Sequence, residues 1–592
     1  MPEGNEILST QFRSDSSAGR ERTAGLLLPA FSPRRQGDLG IGDTRGVREW
    51  IDWAADHHIR FLQLLPINEH GADDSPYSAI SAAALDPIFL AFDGGGVPMV
   101  GERDVARARA SLPTGTDAVE VDYPAVRGVK RDLLETAWTR FENAEPTLKD
   151  EFAEFRRDEA EWLDDYCVFR HLCDLHGEGV VWDDWPPRLR TPQGAWRFIE
   201  ECRRKDADAL DYRLGYFAFV QWLCHRQWRT LRAHADARGV RLMGDVPIGI
   251  ARHSADVFFH RGQFHLDWCG GSPGEGPGHP DPFTARWGQN WGVPLYRWDR
   301  MQADGYAWWR HRIARVTDVF HWFRIDHILG FYRIYAFPWM PSENERFAHL
   351  DAEAVSALTG GRLPRWWQRP DDTLENQEAN LADGDDRLRG ILEGFPMERV
   401  IAEDLGWVPP YVRPHLRDLG ICGYRIPHWD CDANGHPLPG RAFPEASFAC
   451  YSTHDHDPLC AVWRGCLARI RHHRDHPEAP DAWQADGARN TLRILSEFAH
   501  IPVPADGVSW PDYTEGIHLR LVKALMDSHA RHVLFAVTEC FRIDARINTP
   551  GTHNPHNWSF RMPWTMDEIR QRPILADVGV KLGMLARLSG RA

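Results

Sequence analysis

A barrel of eight parallel strands and eight helices, (β/α)8, with inserted and largely helical subdomains, is the fold class this sequence predicts. Three observations predict it. Short apolar runs alternate with amphipathic stretches of helical period, the pattern of successive βα units. Three of those runs finish on a carboxylate: His-Trp-Phe-Arg-Ile-Asp-His (321–327), Arg-Val-Ile-Ala-Glu-Asp-Leu-Gly (399–406) and Cys-Tyr-Ser-Thr-His-Asp (450–455). Each reads as a buried strand that delivers an acid where the strand stops, and barrels of this class keep their catalytic groups at the C-terminal strand ends. Finally, 592 residues at 43% hydrophobic content supply a large core, and such barrels often run long as one unit.

Residues 1–20 are rich in Ser, Arg and Glu and read as a disordered tail, with 21–592 as the catalytic barrel. The first strand is Ala-Gly-Leu-Leu-Leu-Pro-Ala-Phe (24–31). An amphipathic helix follows, with Val47, Trp50, Ile51 and Ala54 on one face and Asp43 and Thr44 as candidate caps. Arg-Phe-Leu-Gln-Leu-Leu-Pro-Ile (60–67) is the second strand. The region from about 70 to 210 breaks the rhythm, contains helical stretches such as Glu151 to Leu175, and reads as an insertion. A long helix (211–238), ended by Gly239, leads to the third strand (240–248). Further insertions are expected at about 257–304 and 341–390, the first holding a Gly/Pro/Trp-rich loop system (269–298) over the strand ends. A helix at 305–318 precedes the strand that ends at Asp326, and the remaining strands are placed at 399–403, 423–429, 447–453 and 532–539. Helices at 409–418 and 518–530 precede two of these.

Composition narrows the function. Net charge is −16 and no long basic run occurs, which argues against a nucleic-acid or anionic-membrane partner. The densest basic stretch, Arg464 to Arg474, reads as a solvated helix face. The 11 cysteines are scattered without a Cys-x-x-Cys pair, so neither a disulfide framework nor a zinc site is indicated. No signal peptide and no membrane-length apolar stretch is visible, and a soluble, cytoplasmic setting is the expectation. Gly37, Gly40 and Gly42 lack the spacing of a dinucleotide loop and read as a tight turn. Most of the 26 tryptophans must serve packing, although flat aromatic faces also suit sugar rings.

An Asp, a Glu and a second Asp converging at strand ends suggest chemistry on a glycosidic bond. That reaction needs one group to protonate the leaving oxygen and another to capture the positive charge at the anomeric carbon. Paired carboxylates do both when their surroundings push their pKa values apart. Asp326 is flanked by Arg324 and His327, and a cation beside it suits an ionised nucleophile. Glu403 follows Val-Ile-Ala, an apolar setting that favours a protonated acid. Asp455, beside His454, is a third acid able to grip ring hydroxyls. Any one of them alone reads as a strand-end salt bridge; the repeated pattern carries the functional reading. Phe-Arg-Ile-Asp recurs at 541–544, but there it runs into a turn, so Asp544 is taken as structural.

The chain resembles the 4-α-glucanotransferases called amylomaltases or disproportionating enzymes, a branch of the α-amylase clan. The likeness runs from about 24 to 565. It rests on Asp-Ser-Pro-Tyr-Ser (74–78), Trp-Leu-Asp-Asp-Tyr (162–166), Trp-Asp-Asp-Trp-Pro (182–186), Gly-Asp-Val-Pro-Ile (244–248), Gly-Gln-Asn-Trp-Gly (288–292), Asn-Thr-Pro-Gly-Thr (548–552) and Asn-Trp-Ser-Phe-Arg (557–561). The resemblance implies Asp326 as nucleophile, Glu403 as acid/base and Asp455 as transition-state stabiliser. It implies that Arg324 orients Asp326 and that Asp245, His327 and His454 bind hydroxyls. Tyr77 would stack under a glucose ring with Ser75 beside it, and Gln289, Trp291 and Asn548 would line neighbouring subsites. Read without the family, Tyr77 and Trp291 are packing residues. Malto-oligosaccharides and α-1,4-glucans are the implied donors and acceptors, with no metal or organic cofactor. A hydrolase using the same site is the alternative, and a non-catalytic glycan-binding protein is a rival of another class. Two departures from the family pattern, Tyr-Arg-Ile-Pro-His-Trp at 424–429 and His456 within Thr-His-Asp-His-Asp, bear on acceptor preference and on the balance of transfer against hydrolysis. They leave the three carboxylates intact.

Overall fold

The computed structural model describes residues 21–592 apart from 72, 114, 117, 178, 277, 280, 479–481 and 553. The expected tail, 1–20, lies outside the described residues. The strands, in chain order, are β1 (Thr23–Leu27), β2 (Phe61–Gln63), β3 (Arg241–Pro247), β4 (Phe264–Ser272), β5 (Gln289–Tyr296) and β6 (Trp322–Asp326). They continue as β7 (Ile334–Phe337), β8 (Arg365–Trp367), β9 (Val400–Ala402), β10 (Cys422–Arg425), β11 (Ser447–Cys450) and β12 (His532–Ala536). Eight close a barrel in the order β1-β12-β11-β10-β9-β6-β3-β2, each pair parallel. These are the eight segments the sequence predicts. Helices cover the outside while side chains fill the inside, so every residue of β1, β10, β11 and β12 is buried.

The barrel strands are shorter than the apolar runs at their C-terminal ends. Pro29, Pro66 and Pro427 lie just beyond β1, β2 and β10, where a residue without N–H cannot extend the ladder. The apolar residues after each strand instead leave the barrel and form the walls of its C-terminal mouth. Aromatic rings close the N-terminal end. Phe61 packs against Trp322 (5.5 Å) and Phe448 (5.9 Å), and Trp322 against His532 (4.6 Å), measured between ring centroids. Gly25 makes room for this layer: a Cβ there would lie 2.3 Å from the Phe61 ring.

The first helix is Thr44–Asp56, capped by Asp43, whose carboxylate accepts the Gly46 N–H at 2.9 Å. The long helix before β3 spans Ala207–Arg238. It starts four residues earlier than the sequence suggests because Asp206 accepts the Ala209 N–H at 3.0 Å, and it stops at Gly239 in the left-handed region (φ 67). The helical stretch expected over 151–175 is two helices, Pro146–Asp158 and Ala160–His176. They meet at Glu159, whose buried carboxylate accepts from Arg229 (3.0 Å), Arg315 and Trp162 Nε1 (2.7 Å).

The region 269–298 differs from the expected loop system. It contributes β4 and β5 to a second, antiparallel sheet in the order β5-β4-β7-β8. Glycines, read in sequence as loop signals, here allow close strand approach: a Cβ on Gly271 would meet the Gln289 carbonyl at 2.0 Å. β5 thereby carries Gln289 and Trp291 on an ordered strand rather than on a free loop.

The Gly25 contact makes a prediction. Gly25→Ala forces the Phe61 ring to move and should cost about 1–3 kcal/mol of stability. The apparent Tm should fall in a thermal melt, whereas an unchanged melt would contradict the tight base layer.

Candidate active site

The strand ends at the C-terminal mouth gather the predicted acids. β3 and β6 pair with Asp245 opposite Arg324 and Pro247 opposite Asp326. β6 and β9 pair with Ile325 opposite Ala402, so Asp326 and Glu403 each stand one residue beyond that rung on adjacent strands. Arg324 and Asp326, two residues apart, share a face of β6. The Arg324 guanidinium is 3 % exposed and forks between two carboxylates, donating from Nη1 to Asp245 Oδ2 and from Nη2 to Asp326 Oδ1, both at 2.6 Å. The Asp245 side chain is fully covered while that of Asp326 is 30 % exposed. One partner of the arginine is therefore an anchor and the other faces the mouth.

Glu403 is held differently. Its Oε2 accepts the His327 N–H at 2.7 Å and its Oε1 the Leu405 N–H at 2.9 Å. His327 sits in the left-handed region (φ 51), which turns its amide toward the glutamate. Enclosure by protein pushes the Glu403 carboxyl up to about 7, Arg324 pulls it down and the Asp326 charge pushes it up further. Asp455 accepts Asn548 Nδ2 at 2.6 Å and lies 3.3 Å from His454 Nε2. Its carboxyl is also raised, by burial, against the pull of the Asn548 hydrogen bond and of Arg324.

Tyr77 joins the two halves of the site. Its hydroxyl donates to Asp245 Oδ2 at 2.9 Å and lies 3.0 Å from His454 Nε2, and its ring stacks on His454 with centroids 5.4 Å apart at 22°. It is more than the bare stacking surface the sequence suggested: one hydroxyl ties the strand-end network together while the ring stays partly exposed. Ser75 Oγ accepts the Tyr77 N–H at 3.3 Å and shapes that turn. Trp291 meets the His327 ring edge to face at 4.8 Å and donates to Gln289 Oε1 at 3.3 Å, while Gln289 donates to Glu275 at 2.6 Å. Arg324, His327, His454 and Asn548 touch one of the three acids directly, Asp245, Tyr77 and Trp291 connect through one neighbour, and Ser75 and Gln289 through two.

His327 is not a cation beside Asp326: burial lowers its pKa to about 4, and the cation there is Arg324 alone. Burial also holds His454 well below its usual value, so both imidazoles are neutral and can donate and accept. Trp558 was missed as a site residue. It packs on Tyr77 (5.6 Å) and His454 (5.7 Å); the Asn-Trp-Ser-Phe-Arg motif was visible, but nothing local tied it to residues far away in sequence. Asp544 lies on the surface, 3.5 Å from Arg464, away from this cluster.

A sequence profile described as 4-alpha-glucanotransferase matches residues 28–567. The chain belongs to this family. It is 31% identical to the 4-alpha-glucanotransferase of Thermus thermophilus over 556 residues, covering 91% of this chain and 95% of that protein. The Chlamydia caviae 4-alpha-glucanotransferase is 29% identical over 553 residues, covering 92% and 91%. Among solved structures, an amylomaltase from Streptococcus agalactiae in complex with acarbose superposes with a TM-score of 0.72 at 21% identity, covering 97% of this chain and all of that one. This glucanotransferase therefore transfers α-1,4-glucan segments on a (β/α)8 barrel. No helix among the described residues is long and apolar enough to cross a membrane.

The Tyr77 hydroxyl bonds both to Asp245, the Arg324 anchor, and to His454. Tyr77→Phe removes one charge-assisted hydrogen bond from Asp245 Oδ2, which keeps Arg324, a loss of about 1.5–3 kcal/mol. Activity on maltotriose should fall about 10- to 150-fold with an unchanged fold by circular dichroism. A loss under twofold would remove Tyr77 from the machinery.

Proposed function

We propose that this glucanotransferase works by a retaining double displacement on malto-oligosaccharides and α-1,4-glucans. Asp326, fixed and paired by Arg324, attacks the anomeric carbon while Glu403 donates its proton to the glycosidic oxygen. The C–O bond to the leaving sugar breaks and a bond from carbon to the Asp326 carboxylate forms. Glu403, now an anion, accepts the proton of the 4-hydroxyl of a second sugar chain, which displaces Asp326 and restores the starting configuration. Asp455 stabilises the transition state, Asn548 holds it, and neutral His327 and His454 bind hydroxyls on either side. The buried Asp245 Oδ1 makes no hydrogen bond among the described residues and is open to a hydroxyl. Tyr77 and Trp291 offer partly exposed rings to glucose units, flanked by Ser75 and Gln289.

The observation that carries this reading is the contrast between two acids on adjacent strands. Asp326 faces an arginine that cannot lose its charge, whereas enclosure lifts Glu403 to about 7. One is ion-paired to a guanidinium and the other holds a proton near neutrality, the division of labour a retaining site needs. The eleven unpaired thiols fit a reducing compartment, and we place the enzyme in the cytoplasm, although a Solanum tuberosum relative is chloroplastic or amyloplastic.

Three outcomes test the assignment. Incubation with maltotriose should yield chains longer than the substrate; glucose and maltose alone would favour the hydrolase. The acid must be protonated, so kcat for the glycosylation step should fall as pH rises through about 7, the value to which Glu403 is lifted. A profile flat up to about pH 9 would remove Glu403 from that role. Glu403→Gln should lose turnover on maltotriose, yet azide should restore part of the second step on a substrate with an activated leaving group.

A further inference from the structure

A second hollow of about 180 Å³ lies outside the barrel mouth. It is bounded by the helices Ala160–His176, Ala255–Phe259 and Ala307–Val319 and by the chain at Ser81–Ala83. It shares no residue with the acid cluster. Its volume is many times the space one water needs, room enough for one pyranose ring.

Three buried polar atoms on its wall lack a hydrogen bond of normal geometry among the described residues: Gln263 Oε1, His311 Nε2 and Arg312 Nη1. Arg312 is only 6 % exposed. Buried polar atoms are almost always satisfied, and three unsatisfied ones around a single cavity call for a polar occupant. The other atoms of these groups are already committed, which sets their orientation. Gln263 Nε2 donates to Asp304 Oδ2 at 2.6 Å and leaves Oε1 free. Asp256 accepts Trp308 Nε1 at 3.0 Å and the Ala82 N–H at 2.8 Å, fixing the indole against the loop.

Charge selects the class of occupant. An anion would face Asp165, Asp256, Asp304 and Glu161 around the rim, and a cation would face the buried Arg312 guanidinium. A neutral polyol avoids both costs. Its hydroxyls donate to Gln263 Oε1, accept from Arg312 Nη1, and do either with His311, which burial keeps neutral. Trp162 and Trp308, both lining the hollow and partly exposed, present flat apolar surface for the C–H face of a sugar.

We propose that this hollow is a second, non-catalytic binding site for one glucose unit of an α-glucan. The inference rests on the substrate class assigned above. Ser81 follows Tyr77 by four residues, so their Cα atoms lie within about 14 Å of each other. A long glucan can therefore rest in the hollow while another part of it enters the mouth. Tethering of this kind raises the local concentration of long chains and gives nothing to a chain too short to span.

The test uses the full-length chain carrying Asp326→Asn, so that sugar is bound and not turned over. Maltotriose titrated into it calorimetrically should fill two sites, and Gln263→Leu in that background should remove one and keep the other. Trp162→Leu serves as a second variant should Gln263→Leu lower the Tm. In the active enzyme Gln263→Leu should leave kcat/KM for maltotriose within about twofold and raise KM for long amylose about fivefold or more. A single site untouched by either variant, meaning a hollow filled by water only, overturns the proposal. Absence of any transfer by the unmodified enzyme would count against the catalytic reading instead, and the two-site titration would still decide this one.

Discussion

The Arg324 fork is the interaction on which the site depends. A guanidinium buried between two strand ends would be ruinous unless both its faces of donors were met. Asp245 from β3 and Asp326 from its own strand meet them at 2.6 Å each. The planar, permanently charged fork fixes the two carboxylates relative to each other in a way a lysine could not. The arrangement also distributes solvent unequally: the anchor is covered and the other carboxylate is open. Tyr77, His454 and Asp455 then build outward from the anchor, so half of the mouth is positioned by one charge.

Burial is used for opposite ends at the two ends of the barrel. At the base, Phe61, Trp322, Phe448 and His532 fill the interior with rings and supply packing. At the mouth, enclosure lifts Glu403, and the same enclosure strips His327 and His454 of charge. The apolar surroundings that the core needs thus also set Glu403 apart from the arginine-paired Asp326. Tuning and stability draw on the same residues, which is why the carboxylates sit where strands end rather than inside them.

Much of this was legible in the chain. All eight barrel strands and the three acids announced themselves because a buried parallel strand is a continuous apolar run and its end is marked by a polar residue. What was hidden depended on partners distant in sequence. β4 and β5 carry glycines that look like loop signals until the opposing strand is known. Glu159 stands at the junction of two helices and meets arginines from two others, contacts no local pattern reveals. Trp558 belongs to the site through contacts with Tyr77 and His454, several hundred positions earlier and a hundred positions earlier. His327 looked like a cation because protonation follows from enclosure, which no short motif reveals.

The hold on Glu403 comes from main-chain amides of positions 327 and 405 rather than from side chains. Main-chain donors survive any side-chain change other than to proline, so Glu403 keeps its place provided residue 327 tolerates its left-handed backbone. A substitution at 327 can therefore exchange the imidazole in the mouth while the amide contact to Glu403 stays in register.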